Sequence, residues 1–206
     1  MISPVHFMTL EEELQPVAKF LHGSVLNAGC GNRDISPMLL QWNATRVDNC
    51  DIATTLSNAF SCDLSAIPKP DGSYDSILCN AVLEHVRDPR AVMCEFYRLL
   101  VPSGRAVLSV PFLQPFHPCP TDFQRYTVQG LEELCHSAGF EIIEMQPLHS
   151  VAQTLGWILW EHVQTKGQRA LQYAVWLPIY VATRLWQKPS NIIHTANTLQ
   201  VVVKKV

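Results

Sequence analysis

Short apolar segments typical of β-strands alternate with segments of helical apolar spacing through the first 145 residues of the chain. The pattern predicts strands at residues 24–28, 44–47, 60–62, 74–79, 106–110 and 140–145, and a last one in "TLQVVVKKV". Helices are predicted at residues 9–21, after Gly31, and at 89–100 and 128–138. Because parallel neighbours need a crossover connection, this alternation indicates βαβ units on one sheet. We therefore predict an α/β fold of the Rossmann-like, doubly wound type, with a mostly parallel seven-stranded sheet and helices on both faces.

Composition narrows the class of protein. The 206 residues, 48% of them hydrophobic, suit one well-buried domain and are too few for two. A net charge of -3 gives no general attraction to polyanions, so nucleic acid is not an expected partner. The 7 cysteines include no C-x-x-C pair and suit a reducing compartment. Since the first residues lack the pattern of a signal peptide, we expect a cytoplasmic location.

Residues 149–193 do not fit the alternation. They place two helical patterns, "VAQTLGWILWEHVQ" and "RALQYAVWLPIYVATRLW", before the last predicted strand, and we interpret them as a helical insertion within one domain of residues 1–206. The segment is rich in tryptophan and basic residues: Trp157, Trp160, Trp176, Trp186, Arg169, Arg184 and Lys188. This composition suits the wall of an apolar-substrate pocket, a peripheral contact with a membrane, or a hairpin buried against the sheet or in a homodimer. Its uncharged stretch is shorter than the roughly 20 residues of a membrane span.

The segment "VLNAGCGN", residues 25–32, indicates a ligand-binding turn between a strand and a helix. Gly29 and Gly31 permit a tight turn and let backbone N–H groups approach a ligand closely. Asp48 follows the second predicted strand at the spacing from Gly29 that suits an acceptor for a ribose diol. Asp63 follows the third strand and Asn80 ends the fourth. Since the carboxyl ends of parallel strands share one edge of a sheet, we expect a nucleoside site there.

A dinucleotide site is disfavoured by the same turn. The dinucleotide fingerprint needs a small residue at its third glycine position, where this chain has Asp34. A carboxylate at the start of the helix would also repel a pyrophosphate. The sequence therefore favours a nucleoside without phosphates over a nicotinamide cofactor.

These motifs resemble those of the class I S-adenosylmethionine-dependent methyltransferases, particularly the methyltransferase type 11 group. The resemblance covers about residues 23–148 and includes "VLNAGCGN", "CDLSAIPKPDGSYDSILCNAVLEHVRDP", "RLLVPSGRAVLSVP" and "GLEELCHSAGFEIIE". It implies S-adenosyl-L-methionine as cofactor. The residues implied to bind it are Asn27, Ala28, Gly29, Cys30 and Gly31 in the turn, Asp48 and Asn49 at the ribose, Asp63 and Leu64 at the adenine, and Asn80, Ala81 and His85 on the methionine side.

Asn27 departs from the family pattern, which usually has Asp or Glu near the ammonium group of the cofactor. An amide can accept one hydrogen bond but supplies no charge. The resemblance implies a methyltransferase acting on a small-molecule or lipid-like acceptor. The alternative is a non-catalytic module of the same fold that uses residues 149–193 to bind a partner.

The segment "PFLQPFHPCPTDFQRYT", residues 111–127, is the predicted substrate-side loop. His117 is the candidate catalytic residue, because an imidazole titrates near neutral pH and can act as a general base. The alternative is that His117 only holds the loop by hydrogen bonds. His117, Cys119 and Asp122 lack a recognisable ligand spacing, so no metal site is predicted.

Overall fold

The computed structural model describes residues 7–164, 169–185 and 193–206. Its strands are β1 His22–Ala28, β2 Asn43–Asp51, β3 Ala59–Ser61, β4 Tyr74–Asn80, β5 Leu100–Pro111, β6 Phe140–Leu148 and β7 Thr198–Lys205. They form one 7-stranded sheet in the order β3-β2-β1-β4-β5-β7-β6. The strands from β3 to β5 pair in parallel, and β7 runs antiparallel to both of its neighbours. The predicted doubly wound, mostly parallel sheet is confirmed.

The helices are α1 Leu10–Leu14, α2 Ser36–Trp42, α3 Pro89–Leu99, α4 Val128–Ser137, α5 Val151–Gln164 and α6 Arg169–Leu185. Thr9 and Glu12 form the capping box of α1, in which the Glu12 amide donates to Thr9 Oγ1 at 3.2 Å and the Thr9 amide donates to Glu12 Oε2 at 2.7 Å. The helix is shorter than predicted and continues as a 3-10 segment, Gln15–Phe20. Pro16 has no N–H with which to extend the α-helical hydrogen bonds.

Helices cover both faces of the sheet, as predicted. On one face, β-strand residues such as Val25 and Val107 pack in a buried cluster with Leu14 and Leu39 of the N-terminal helices. On the other face, neighbouring strand residues pack against α3 and α4, and this cluster includes Leu26, Ile77, Leu108, Phe96 and Leu131. The alternation of side chains along each strand therefore separates two cores.

β2 is longer than the strand predicted at residues 44–47. The edge of the sheet at which we expect a ligand is therefore formed by later residues of this strand. It runs through Asp51, and in the ladder Leu26 pairs with Asp48 and Ala28 with Cys50. Asp48 therefore lies within the strand rather than at its end. The sequence does not predict this extension because "RVDNCD" is rich in polar residues, which are uncommon in strands. Such residues are stable in a strand when the side chains around them provide suitable partners. Similarly, β5 begins at Leu100, earlier than the strand predicted at residues 106–110, and its "VPSGR" segment lies at a shift of ladder register.

Helices α5 and α6 lie between β6 and β7 in the chain and contact each other. Trp186 and Lys188 lie outside the described residues, and Trp176, Arg169 and Arg184 are described only by their place in α6. Within the described ranges, none of the helices combines the length and the apolar character that crossing a membrane requires. Apolar side chains are nevertheless exposed on both helices, including Leu155, Ile158 and Leu159 on α5 and Leu177, Val181 and Leu185 on α6.

Candidate functional site

The two glycines of the turn after β1 differ in the space around their Cα atoms. Gly29 and Gly31 have φ angles of 76° and 55°, a region that favours glycine. The amides of Gly29 and Cys30 both donate to the Cys50 carbonyl, at 2.8 and 3.0 Å, and fix the turn to β2. A Cβ on Gly29 would lie 2.4 Å from a methyl carbon of Val82, whereas one on Gly31 would meet nothing within 4 Å in the described structure. Gly29 therefore packs inside, and the backbone at Gly31 is open to a ligand.

We expect Gly29→Ala to destabilise the fold much more than Gly31→Ala. Both substitutions place a Cβ at positive φ, which costs about 1–2 kcal/mol. Gly29→Ala adds the overlap with Val82, and overpacking costs about 1–3 kcal/mol. Urea unfolding followed by circular dichroism measures both variants. Equal losses in the two variants would contradict the packing described for Gly29.

Asp51, at the end of β2, faces the glycine turn. Its Oδ2 accepts from the Gly31 amide at 2.9 Å and its Oδ1 accepts from the Ala53 amide at 2.9 Å. Thr54 Oγ1 donates to the Gly31 carbonyl at 2.8 Å, which ties the same two loops together. Because each carboxylate oxygen has a second lone pair, Asp51 can also accept hydrogen bonds from a bound molecule.

Asp48 lies three residues earlier and on the opposite face of the strand. Its Oδ2 accepts from Lys69 Nζ at 2.9 Å and from Tyr74 Oη at 2.8 Å. Burial acts to raise the pKa of Asp48, but these two hydrogen bonds outweigh it and hold the pKa below the ordinary value. The structure thus places the carboxylate expected at the ribose in an ion pair, away from the glycine turn.

Asn27 and Asn49 lie beneath the turn rather than on its surface. They are ladder partners on β1 and β2, and their side chains are almost completely buried. Asn27 Nδ2 donates to Asn49 Oδ1 at 2.9 Å, and Asn49 Nδ2 donates to Ser36 Oγ at 2.8 Å. Asn27 therefore takes part in a hydrogen-bonded chain that links β1, β2 and the start of α2. The family pattern usually has a carboxylate at this position.

The edge beside β3 combines an acidic side chain with apolar ones. Asp63 is exposed, and its Oδ1 accepts from the Ser65 amide and hydroxyl, both at 2.8 Å. The hydrogen bonds from the Ser65 amide and hydroxyl lower the pKa of Asp63. Leu64 is buried, whereas Ile52, which follows Asp51, is 69% exposed. An exposed apolar side chain beside a carboxylate suits the flat face of a nucleoside base.

The end of β4 carries an unsatisfied polar atom. Asn80 Oδ1 is buried and has no hydrogen-bond partner among the described residues. Ala81 has a φ of 55°, and its amide donates to the Ser109 carbonyl at 2.9 Å. Because buried polar atoms are almost always paired, this oxygen is available to accept a hydrogen bond from a water molecule or a ligand.

A cavity of about 500 Å³ opens beside the end of β4. Its lining combines strand ends, the substrate-side loop and α5, and includes Phe7, Glu13, Asn80, Ala81, Ser109, His117, His149, Trp157, Trp160 and Glu161. His149 Nε2 lies 3.4 Å from Glu13 Oε1. Burial raises the pKa of Glu13 to about 7 and lowers the pKa of His149 to about 4. The cavity therefore has aromatic walls, a His149 that is neutral at pH 7 and a Glu13 carboxyl that is partly protonated there.

His117 is held in this cavity by the loop that carries it. Its amide donates to Asp122 Oδ2 at 2.8 Å, and its Nδ1 lies 2.8 Å from the Pro115 carbonyl oxygen. The Asp122 side chain is fully buried and forms an ion pair with Arg125, whose Nη2 donates to Oδ2 at 2.6 Å. The Arg125 hydrogen bonds hold the pKa of Asp122 well below its usual range. The nearby Glu84 carboxylate, whose Oε1 lies 3.7 Å from His117 Nε2, raises the pKa of His117.

Comparisons with known proteins identify the family to which the chain belongs. Residues 6–145 match the sequence model of a methyltransferase domain. The chain belongs to this methyltransferase family. A "Probable S-adenosylmethionine-dependent methyltransferase" of Mycolicibacterium smegmatis is 31% identical over 86 residues, which are 39% of this chain and 34% of that protein.

A second relative of the methyltransferase chain is an uncharacterized 37.1 kDa protein in transposon TN4556 of Streptomyces fradiae, 41% identical over 161 residues. The match covers 68% of this chain and 46% of that protein, so the chain spans less than half the length of both relatives. Among solved structures, the 1,6-didemethyltoxoflavin N1-methyltransferase of Burkholderia thailandensis, with bound 1,6-didemethyltoxoflavin and S-adenosylhomocysteine, shares the fold. The TM-score is 0.63 at 16% identity, over 96% of this chain and 80% of that one.

The methyltransferase fold brings most of the sequence-predicted residues to one edge, but not all of them. Residues 28–31, 63–64 and 80–81 lie at the ends of β1, β3 and β4 or directly after them. His85 faces the substrate-side loop, with its Nδ1 2.5 Å from the Thr121 carbonyl oxygen. Sequence reasoning missed Asp51 and Ile52, although a longer second strand would have placed both at this edge.

Proposed function

We propose that this chain is an S-adenosyl-L-methionine-dependent methyltransferase whose acceptor binds in the cavity between the strand ends and α5. The observation that carries the proposal is that Asn80, which ends β4, and Ala81, which follows it, line the cavity at the edge of the sheet where we place the donor. A donor held at the end of β4 would therefore present its methyl group to the cavity. Methyl transfer is then a matter of alignment and exclusion of water.

The described residues fit this cofactor. Asp51 has free lone pairs for the ribose hydroxyls, and Ile52 and Leu64 offer apolar contact to the adenine. The open backbone at Gly31 and the orphaned Asn80 Oδ1 suit the methionine moiety, whose ammonium group can donate to that oxygen. When bound, the cofactor supplies a methyl group on a positively charged sulfur. We assign the ribose contact to Asp51 in place of Asp48, and we keep Asp63 for the adenine side.

We further propose that the acceptor is a small, partly apolar molecule, lipid-like molecules included. Phe7, Trp157 and Trp160 supply the apolar walls of the cavity. His117 is the residue placed to receive a proton from the acceptor. Its Nδ1 donates to the Pro115 carbonyl, so the basic nitrogen is Nε2, and Glu84 Oε1 at 3.7 Å would stabilise the imidazolium. The exposed apolar residues of α5 would extend this surface toward a membrane or a second copy of the chain.

Isothermal titration calorimetry with S-adenosyl-L-methionine and S-adenosylhomocysteine tests the proposal. We expect one binding site with a dissociation constant in the micromolar range, followed by label transfer from a methyl-labelled donor to acceptors in a screen. Trp160→Ala should reduce transfer and leave donor affinity unchanged, because Trp160 lines the acceptor cavity and is not among the residues that we assign to the donor. A folded protein with no affinity for either molecule would contradict the function and favour the non-catalytic alternative.

A further inference from the structure

A buried carboxylate that faces two histidines but accepts no hydrogen bond within the described residues lies beside the proposed acceptor site. Glu84 is in the short 3-10 turn Leu83–His85 that follows β4, and its side chain is 1% exposed. Both of its carboxylate oxygens lack a hydrogen-bond partner among the described residues. An unpaired carboxylate in this setting is costly, so a positive charge or a donor is needed next to it.

The two histidines that face Glu84 have their other ring nitrogens occupied. His85 Nδ1 lies 2.5 Å from the Thr121 carbonyl oxygen, and His117 Nδ1 lies 2.8 Å from the Pro115 carbonyl oxygen. A carbonyl oxygen only accepts, so both Nδ1 atoms carry hydrogen, and in the neutral rings both Nε2 atoms carry lone pairs. Each Nε2 lies 3.7 Å from Glu84 Oε1. Two lone pairs and a carboxylate therefore converge on one position.

We propose that Glu84, His85 and His117 bind a divalent transition-metal ion of the zinc class. One ligand atom from each residue lies within 4.8 Å of the others. Ligands of a tetrahedral zinc ion at about 2.0–2.1 Å are about 3.4 Å apart, so the 3.7 Å separations between Glu84 Oε1 and each Nε2 are close to those required. The two Nε2 atoms lie within 4.8 Å of each other, so rotation of the imidazole rings must bring them closer by up to about 1.4 Å. Imidazole nitrogens and a carboxylate are a suitable donor set for such an ion. Histidines that bind metals commonly donate their second N–H to a backbone carbonyl, as both do here.

The surrounding charges are compatible with an added cation. Arg125 Nη2 lies 3.2 Å from His117 Nδ1, on the side of the ring away from Glu84. Its charge is matched by the ion pair with Asp122. The side chains of His85 and His117 are 16% and 27% exposed, so an ion can enter from the cavity.

Three protein ligands leave the fourth position of a tetrahedral ion open, and one of the three, His117, also lines the cavity. A metal there would occupy Nε2 of His117, so the imidazole could not take the proton of the acceptor. The ion would instead polarise an oxygen of the acceptor, which would release its proton to water more easily. This last step rests on the proposed function, whereas metal binding itself does not. No ligand spacing in the sequence indicates this site, because α3 and β5 separate His117 from Glu84 and His85 along the chain.

Titration of the chelator-treated protein with Zn²⁺, in competition with a chromophoric chelator, tests the site without the methyl donor. We expect one equivalent bound, and we expect Glu84→Gln and His117→Gln each to weaken binding at least about 10-fold. Cys119→Ser is the matched control, because Cys119 is an exposed free thiol on the same loop and an alternative zinc ligand. Its affinity should equal that of the unaltered chain. Circular dichroism confirms that each variant is folded.

Co²⁺ substitution gives an independent readout of the ligands. We expect visible absorption bands of a tetrahedral ion without the near-ultraviolet band of a cobalt–thiolate bond. No stoichiometric binding, binding that survives both Glu84→Gln and His117→Gln, or a thiolate band lost in Cys119→Ser would overturn the proposal. Since the assay contains no methyl donor, its failure would leave the calorimetric test of the methyltransferase function unaffected.

Discussion

Asp51→Ala is expected to lower the affinity for S-adenosyl-L-methionine about 100-fold, which corresponds to roughly 2.7 kcal/mol. The substitution removes a charged acceptor proposed for the ribose hydroxyls, and hydrogen bonds to charged groups contribute about 1.5–3 kcal/mol each. It also removes the 2.9 Å hydrogen bond from the Gly31 amide that helps to set the glycine turn. Calorimetry measures the loss as a change in dissociation constant.

Asp48→Asn is the matched control, since it changes a carboxylate in the same strand. It weakens the ion pair with Lys69, so we expect lower stability toward urea but donor affinity within about threefold of the unaltered chain. Retained donor affinity in Asp51→Ala together with its loss in Asp48→Asn would return the ribose contact to Asp48. Asp48 and Asp51 lie three residues apart in β2 but on opposite faces of the strand. The comparison therefore shows which face of β2 carries the carboxylate that contacts the donor.

Asp122→Ala should cost about 3 kcal/mol of stability and abolish most methyl transfer. The side chain is fully buried, and its removal leaves the Arg125 guanidinium without its partner, a change of a kind that costs about 3–5 kcal/mol when the pair is buried. We take the lower end because Arg125 is 25% exposed. The His117 amide also loses its acceptor at 2.8 Å, so the imidazole is no longer held in the cavity. Donor affinity should remain, because the loop is separate from the glycine turn.

Urea unfolding at several pH values measures the Asp122 effect. Arg125 holds the pKa of Asp122 below its unfolded value of about 3.9, so its contribution is fully present at neutral pH. The contribution is lost only as the pH falls through the lower, folded-state pKa. Glu133→Ala, which removes an exposed carboxylate from α4, should change stability by less than about 0.5 kcal/mol. A similar small change in Asp122→Ala would show that the ion pair does not hold the loop.

The sequence predicts those parts of the fold that have a clear signal within a few neighbouring residues. The apolar first strand, the Asp88 cap of α3 and the helical insertion before the last strand all follow from local pattern. The end of β2 does not, because polar residues there are paired by neighbours distant in the chain. Tyr74 and Lys69 explain why a strand tolerates Asp48, and neither partner is visible from a window around it.

The candidate site follows the same division. Gly29 and Gly31 are recognisable because backbone conformation restricts the residue type. The convergence of Glu84, His85 and His117 depends on which way the loop after β5 folds back, and no spacing rule expresses it. The proposed roles of Asp48 and Asp51 also depend on where β2 ends and on which face of the strand each side chain lies. A strand that ended near Asp48 would place that carboxylate at the ligand edge, whereas the observed strand places Asp51 there.

Leu148 and Thr198, which flank α5 and α6, are paired directly in the antiparallel ladder of β6 and β7. The helical segment therefore leaves the sheet and returns to it at adjacent points, about 5 Å apart. Such a segment can be replaced by another one without changing the register of any strand. Acceptor preference in proteins built this way can diversify through α5 and α6, while the donor-binding half of the sheet stays the same.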